Sequence, residues 1–165
     1  MFMLKPLSKE AIPAALAKAE KYLLFNEPWQ SESICRDILE SDPANQTALV
    51  SLVLALAAQF DQSISVKEAW DAVGQLTNDY ERAYYSGFIE ERRALAVLRQ
   101  GYLRSGSVVH MLLHQAMEWY ERAAALRPPA NDDAVLRWNA CVRVLRRNPQ
   151  IAPAAHEEVA AVALE

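Results

Sequence analysis

The stretch Ile38–Val50, ILESDPANQTALV, sets a proline between two apolar runs, and neither run can absorb it. Asp42-Pro43 ends whatever helix precedes it. The residue before a proline is pushed out of the helical region, and proline itself has no N–H to give. Asn45, just beyond, is a residue type whose side chain caps a restarting helix. A second stretch, Leu126–Leu136, LRPPANDDAVL, repeats the Pro-Ala-Asn core 86 residues later. Two such joints between helix-compatible segments predict an all-α chain built of antiparallel helical hairpins.

Helical periodicity extends outward from both joints. A first helix is expected from Ser8 or Pro13 to Leu24 or Phe25, and a second from Pro28 to Glu40, with proline in its favoured first position. The third is expected over Gln46–Phe60 and the fourth over Val66–Leu76. A long fifth opens at the Asn78-Asp79 cap and reaches as far as Tyr102. The sixth is expected over Val108–Leu126, and the seventh, capped by Asn131, over Asp132–Arg147. DQSIS (61–65) reads as a link and GYLRSGS (101–107) as a flexible loop holding two of the four glycines. In the tail, 148–165, a short helix is compatible with the residues, although Pro149 and Pro153 interrupt its approach.

Composition sets the class of protein. With 165 residues, 52% of them hydrophobic, the chain has the material for a single domain over 1–165 with a sizeable core. The net charge of −4 argues against a nucleic-acid partner, which calls for a basic face. The most apolar run, Ala48–Phe60, is shorter than the ~20 residues of a membrane span, so it reads as a helix buried on most sides, with no membrane role. Charges interrupt every apolar run near the start, unlike a secretory leader. Cys35 and Cys141 fall in helical patterns and read as reduced, buried thiols, which together predict a cytoplasmic location.

The joints also carry a period. Asn45 and Asp79, each at a helix restart, stand 34 residues apart. Units of 12–45, 46–79 and 80–131 follow, the third carrying 18 extra residues around the fifth helix and the 101–107 loop, with a capping helix over 132–147. Small residues at Ala19, Gly87, Ala116 and Ala123 let paired helices approach, and Tyr22 and Tyr120 fill the space between hairpins.

The chain resembles the tetratricopeptide-repeat family, whose period is about 34 residues. Ala19, Tyr22, Ser31 and Pro43 fit that pattern in the first unit, and Leu49, Leu52 and Ala72 in the second. Gly87, Ala116, Tyr120, Ala123 and Pro128 fit it in the third. Val53 stands in place of a glycine, Thr77 in place of the closing proline, and Ala15, Leu49 and Ala83 where tryptophan is common. The resemblance implies a right-handed α-solenoid of about three repeats plus the capping helix.

It further implies a concave groove that binds a peptide or a partner's helix. By register the groove is lined by Val50, Ser51, Leu54 and Ala57 in the second unit. In the third it is lined by Tyr84, Tyr85, Phe88, Glu91 and Arg92. The alternative for these positions is that they pack in the core or lie under the inserted segment. Some family members grip a terminal carboxylate with lysine, asparagine and arginine. The matching positions here, Leu16, Glu20, Ser51, Glu81 and Tyr85, supply neither the cation nor the amide.

Other clusters read as structural. In YYSGFIEERRALAVLR (84–99), Glu90 and Arg93 form the favourable i,i+3 pair of a solvated face. His110 and His114 share a helical face, but Met111 stands where a zinc protease has glutamate, so no metal is expected. Trp70, Trp119 and Trp138 read as core, while Trp29 beside Pro28 reads as exposed. Arg137, Arg143, Arg146 and Arg147 make a weak basic stripe on a helix whose end they already complement. No phosphate loop, nucleophile elbow, CxxC pair or dinucleotide fingerprint occurs, so neither a catalytic residue nor a cofactor is expected.

The expected function is therefore a protein–protein interaction module. Two alternatives stand beside it. One is a small helical enzyme drawing on Glu90, Glu91, Arg92 and His114 in an inter-helix pocket. The other is a homo-oligomer joined through the aromatic patch.

Overall fold

A computed structural model describes residues 2–60, 66–101 and 105–153. Among these, seven α-helices and one 3-10 turn occur, and no strand. The turn, Lys9–Ala11, leads into α1 (Ile12–Leu24). After it come α2 (Pro28–Ser41), α3 (Gln46–Ala57), α4 (Val66–Gly74), α5 (Asp79–Gln100), α6 (Gly106–Leu126) and α7 (Asp133–Arg147). The 61–65 link and the tail from 154 lie outside the described residues.

Local chemistry sets most helix ends where the sequence marks them. Pro28 opens α2, and the Asn45 side chain accepts the Ala48 N–H at 3.0 Å to open α3. Asn78 does the same for α5, accepting from Glu81 N–H at 3.0 Å. At the other end of α5, Gly101 takes φ +65°, the left-handed conformation glycine allows at a helix terminus.

The two Pro-Ala-Asn joints share a turn but differ in register. Asn45 N–H reaches the Asp42 carbonyl, and Asn131 N–H reaches the Pro128 carbonyl. In the second joint Ala130 adopts φ +62°, and α7 begins one residue later than expected. Asp132, not Asn131, occupies the capping position. Asn131 instead accepts the Asp133 N–H at 3.0 Å and the Tyr80 hydroxyl at 3.1 Å.

Consecutive helices pack as neighbours throughout, and α1 also touches α3, and α3 touches α5. The odd-numbered helices α1, α3 and α5 thus form one layer. On the other side, an ion pair from Arg36 to Glu68 (2.5 Å) ties α2 to α4. α3 is buried on most sides, as its largely apolar run predicts. Its burial explains why Ala48–Phe60 is apolar without spanning a membrane. Among the described residues, no helix is long and apolar enough to cross one.

Two apolar clusters meet at α5. Phe88, Ile89 and Ala96 join the cluster formed with α1 to α4, while Ala83 and Ala94 join the one formed with α6 and α7. At Gly87, α5 comes close to α6. A Cβ there would stand 2.8 Å from Tyr120 Cε1 and 3.1 Å from the Ala116 carbonyl. Ala19, Ala116 and Ala123 are completely buried, as small residues between close helices should be.

Thr77, the departure from a closing proline, has a physical reason. Its N–H donates to Gln46 Oε1 at 2.8 Å and its hydroxyl lies 3.2 Å from the same oxygen, fastening the end of α4 to the start of α3. A proline has no N–H to make that bond.

Gly106 corrects the expected loop. It is not a flexible link but the first residue of α6. A Cβ at Gly106 would meet the Gln150 carbonyl at 2.4 Å, so its glycine serves close packing of the 148–153 segment, whose Ile151 is buried in the second cluster. α3 likewise stops at Ala57 and α4 at Gly74, a few residues short of the expected ends, with Phe60 and Leu76 still buried beyond them.

Candidate binding surface

The nine groove positions separate into two groups. Val50 and Leu54 on α3 and Tyr84, Tyr85 and Arg92 on α5 are half-buried, with side chains reaching the surface. Ser51, Ala57, Phe88 and Glu91 are buried instead and support that surface from beneath. These four pack in the interior, the alternative that stood beside the groove reading. α3 packs on α1, α2, α4 and α5, and α5 packs on α3, α4 and α6, so each helix has more than one buried side.

The aromatic side chains of α5 form a continuous set. Tyr80 stacks on Tyr84 at 5.9 Å between centroids, Tyr84 meets Tyr85 edge-on at 5.1 Å, and Tyr85 meets Phe88 at 6.4 Å. Edge-on and offset contacts of this kind suit the ring quadrupoles. Burial, with a smaller contribution from the Tyr84 phenol, pushes the Tyr85 hydroxyl up to about 12.

Glu91 is the polar centre of the site. Its Oε2 accepts the Tyr120 hydroxyl at 2.6 Å, and its Oε1 lies 3.3 Å from Arg137 Nη1. Arg137, from α7, also points Nε at the Tyr84 hydroxyl at 3.4 Å. Its Cζ sits 4.9 Å from the centre of the Phe88 ring. Arg92 lies against the same ring, with Cζ 5.0 Å from the centroid. Burial holds the Arg92 guanidinium below its usual range, and the neighbouring positive charge of Arg137 adds to the effect.

The charged run behaves partly as expected. Arg93 pairs with Glu90 at 2.7 Å across three residues. Glu90 is nevertheless buried rather than on a solvated face, and burial raises its pKa against the opposing pull of Arg93. Glu90, Glu91 and Arg92 therefore point at three different partners. His114 lies elsewhere, 64% exposed and 3.4 Å from Glu118. The polar residues considered for an enzyme pocket do not converge.

His110 and His114 stack at 6.2 Å beside a depression of about 500 Å³, lined also by Val108, Met111 and Pro153. Among the described residues, no group of three histidine, cysteine or acidic side chains is placed to hold a metal. Trp29 is exposed, and Trp70, Trp119 and Trp138 are half-buried. Of the basic stripe, Arg143, Arg146 and Arg147 face solvent, while Arg137 turns inward.

No family model matches the chain, and no curated protein or solved structure matches it.

Sequence reasoning missed Tyr120 and Arg137 as partners of Glu91. A signal for half of this was present. Glu91 is one helical turn beyond Gly87, on the stripe expected to meet the next helix, so its burial follows from that spacing. Arg137 carried no such signal.

Proposed function

We propose that the protein is a non-enzymatic interaction module, a short α-solenoid of three tetratricopeptide-like repeats closed by α7, that binds an extended peptide or a partner's helix across α3 and α5. The observation carrying this reading is the packing of α3 against α5, which leaves Val50 and Leu54 half-buried on α3 and Tyr84, Tyr85 and Arg92 half-buried on α5, with Val50, Leu54 and Tyr85 against one apolar cluster. Aromatic side chains and arginine at a surface are what recognition sites are enriched in. The scattering of Glu90, Glu91, Arg92 and His114 among separate partners weighs against the enzyme alternative. Buried, free Cys35 and Cys141 are compatible with a reducing, cytoplasmic setting.

The test is selection of random dodecapeptides on the immobilised protein, followed by calorimetry against wild type and a Leu54→Ser/Tyr85→Ser variant. Phe88 is left intact because it is core, and a thermal melt confirms the fold. Peptides that bind wild type and lose about tenfold or more in affinity to the variant support the surface. Selected peptides that bind both proteins equally, or no selected peptide at all, sink it. A mass that doubles with concentration and reverts in the variant would place self-association ahead of peptide binding.

A further inference from the structure

Phe88 has two guanidinium groups against its ring and one carboxylate to balance them. Arg92 and Arg137 stand 5.0 and 4.9 Å from the ring centroid. Glu91, the acid that acts on both, is already engaged by the Tyr120 hydroxyl at 2.6 Å and by Arg137 at 3.3 Å. Glu90, the neighbouring acid, is held by Arg93. Arg92 is left over: among the described residues its Nε is buried with no hydrogen-bond partner.

A guanidinium carries five N–H donors in a planar fork and has no neutral form to retreat to in a protein. It accordingly calls for an acceptor. Arg137 acts on Arg92 with like charge, and the one opposing acid, Glu91, is shared with Arg137 and Tyr120. Arg137 itself is only loosely committed, with contacts of 3.3 and 3.4 Å and a third of its side chain exposed. The cluster is one negative charge short.

We infer that Arg92 and Arg137 form a receptor for one carboxylate, supplied by an aspartate or glutamate side chain of a peptide lying across α5. The inference rests on the peptide-binding reading of this surface and names the chemistry of what is bound. A monoanionic carboxylate matches the fork of Arg92 and brings the two arginines and Glu91 to neutrality. A dianionic phosphate would overshoot that balance while facing the Glu91 carboxylate. A side chain, rather than a chain terminus, fits the position of Arg92 in the interior of α5. Tyr84 and Tyr85 lie toward the helix start and Arg99 toward its end, so the surface continues on both sides. The device differs from a terminal-carboxylate clamp at Leu16, Glu20, Ser51, Glu81 and Tyr85, positions that hold no cation.

The experiment follows the arginine Nε–H signals of the full chain by NMR, with Arg92 and Arg137 assigned from Arg92→Gln and Arg137→Lys variants. Three acetylated pentapeptides are titrated: Ac-Ala-Ala-Glu-Ala-Ala-NH2, its glutamine counterpart, and Ac-Ala-Ala-Gln-Ala-Ala with a free C-terminal acid. Inorganic phosphate is the fourth ligand. The expected result is a saturable shift of the Arg92 signal with the glutamate peptide alone. It should weaken by about tenfold or more in the Arg92→Gln protein when followed at Arg137. No shift, or an equal shift with the glutamine peptide, overturns the proposal. A larger response to phosphate or to the free-acid peptide overturns its choice of ligand.

The probes carry no apolar anchor, so the result is separable from the fate of the wider surface. A shifted Arg92 with no selected dodecapeptide removes the groove and keeps the carboxylate receptor. Selected peptides that bind through Leu54 and Tyr85 with Arg92 silent keep the groove and remove the receptor.

Discussion

Gly87 lies directly under the ring of Tyr120. The place its Cβ would occupy is 2.8 Å from Tyr120 Cε1 and 3.1 Å from the Ala116 carbonyl. The ring is fully buried, and its hydroxyl continues to Glu91, so this single approach sets both the spacing of α5 against α6 and the position of the polar centre.

Replacing Gly87 by alanine should therefore destabilise the fold even though alanine is the better helix former. The propensity gain is about 1 kcal/mol, while overpacking against a ring and a backbone carbonyl costs about 1–3 kcal/mol. The expected outcome is a lower urea midpoint with an unchanged m-value. A raised midpoint would mean that the helices can separate at little cost.

Tyr120→Phe removes one hydroxyl and leaves Glu91 Oε2 without its partner. Glu91 is only 6% exposed, so water cannot readily substitute. A loss of about 1.5–3 kcal/mol is expected, the range for hydrogen bonds to charged groups. The check is chemical denaturation at neutral pH, with Tyr22→Phe as a control whose ring is half-buried.

The two thiols predict an alkaline limit to stability. Burial pushes Cys35 up to about 11 and Cys141 up to about 12, each from an ordinary value of 9.0. Between the unfolded and folded values the unfolded chain has lost protons that the folded chain keeps, so stability falls as pH rises. That contribution is complete below pH 9 and disappears progressively toward pH 11 to 12. A Cys35→Ala/Cys141→Ala variant, though weaker at neutral pH, should show a flatter decline of the denaturation midpoint between pH 9 and 11. Parallel declines would show that the thiols do not contribute.

Ala130 sits at φ +62°, a conformation that costs a side-chain-bearing residue about 1–2 kcal/mol. Ala130→Gly should raise the unfolding midpoint, by up to about 1 kcal/mol after the greater freedom of glycine in the unfolded chain is counted. Ala44, in the matching joint, has no such strain, so Ala44→Gly should lower it. The pair of melts distinguishes the two joints that look alike in sequence.

That pair also illustrates what was legible. Pro-Ala-Asn announces a helix stop and restart at both places, because the relevant chemistry spans only a few residues. It does not announce that the second copy puts Ala130 in the left-handed region and moves the cap to Asp132. There the Tyr80 hydroxyl, from 51 residues away, donates to Asn131, a contact the first joint does not have.

The nine positions expected to line a groove divide in the same way: Ser51, Ala57, Phe88 and Glu91 are buried, while Val50, Leu54, Tyr84, Tyr85 and Arg92 are half-buried. Facing a helical neighbour and facing solvent look the same in a stripe of apolar and small residues. Only the set of helices packed against α3 and α5 separates them.

By itself the sequence determined the all-helical class, most helix ends, and the close approach at Gly87. Prolines, asparagine caps and the absence of a side chain act on their immediate surroundings whatever the rest of the chain does. The tertiary structure alone decided that Gly106 would start a helix against Gln150, that Glu91 would be sealed beneath Tyr120, and that Arg137 would turn inward beside Arg92. Each of those outcomes depends on which distant faces meet, and burial, unlike capping, is a property of the assembled whole.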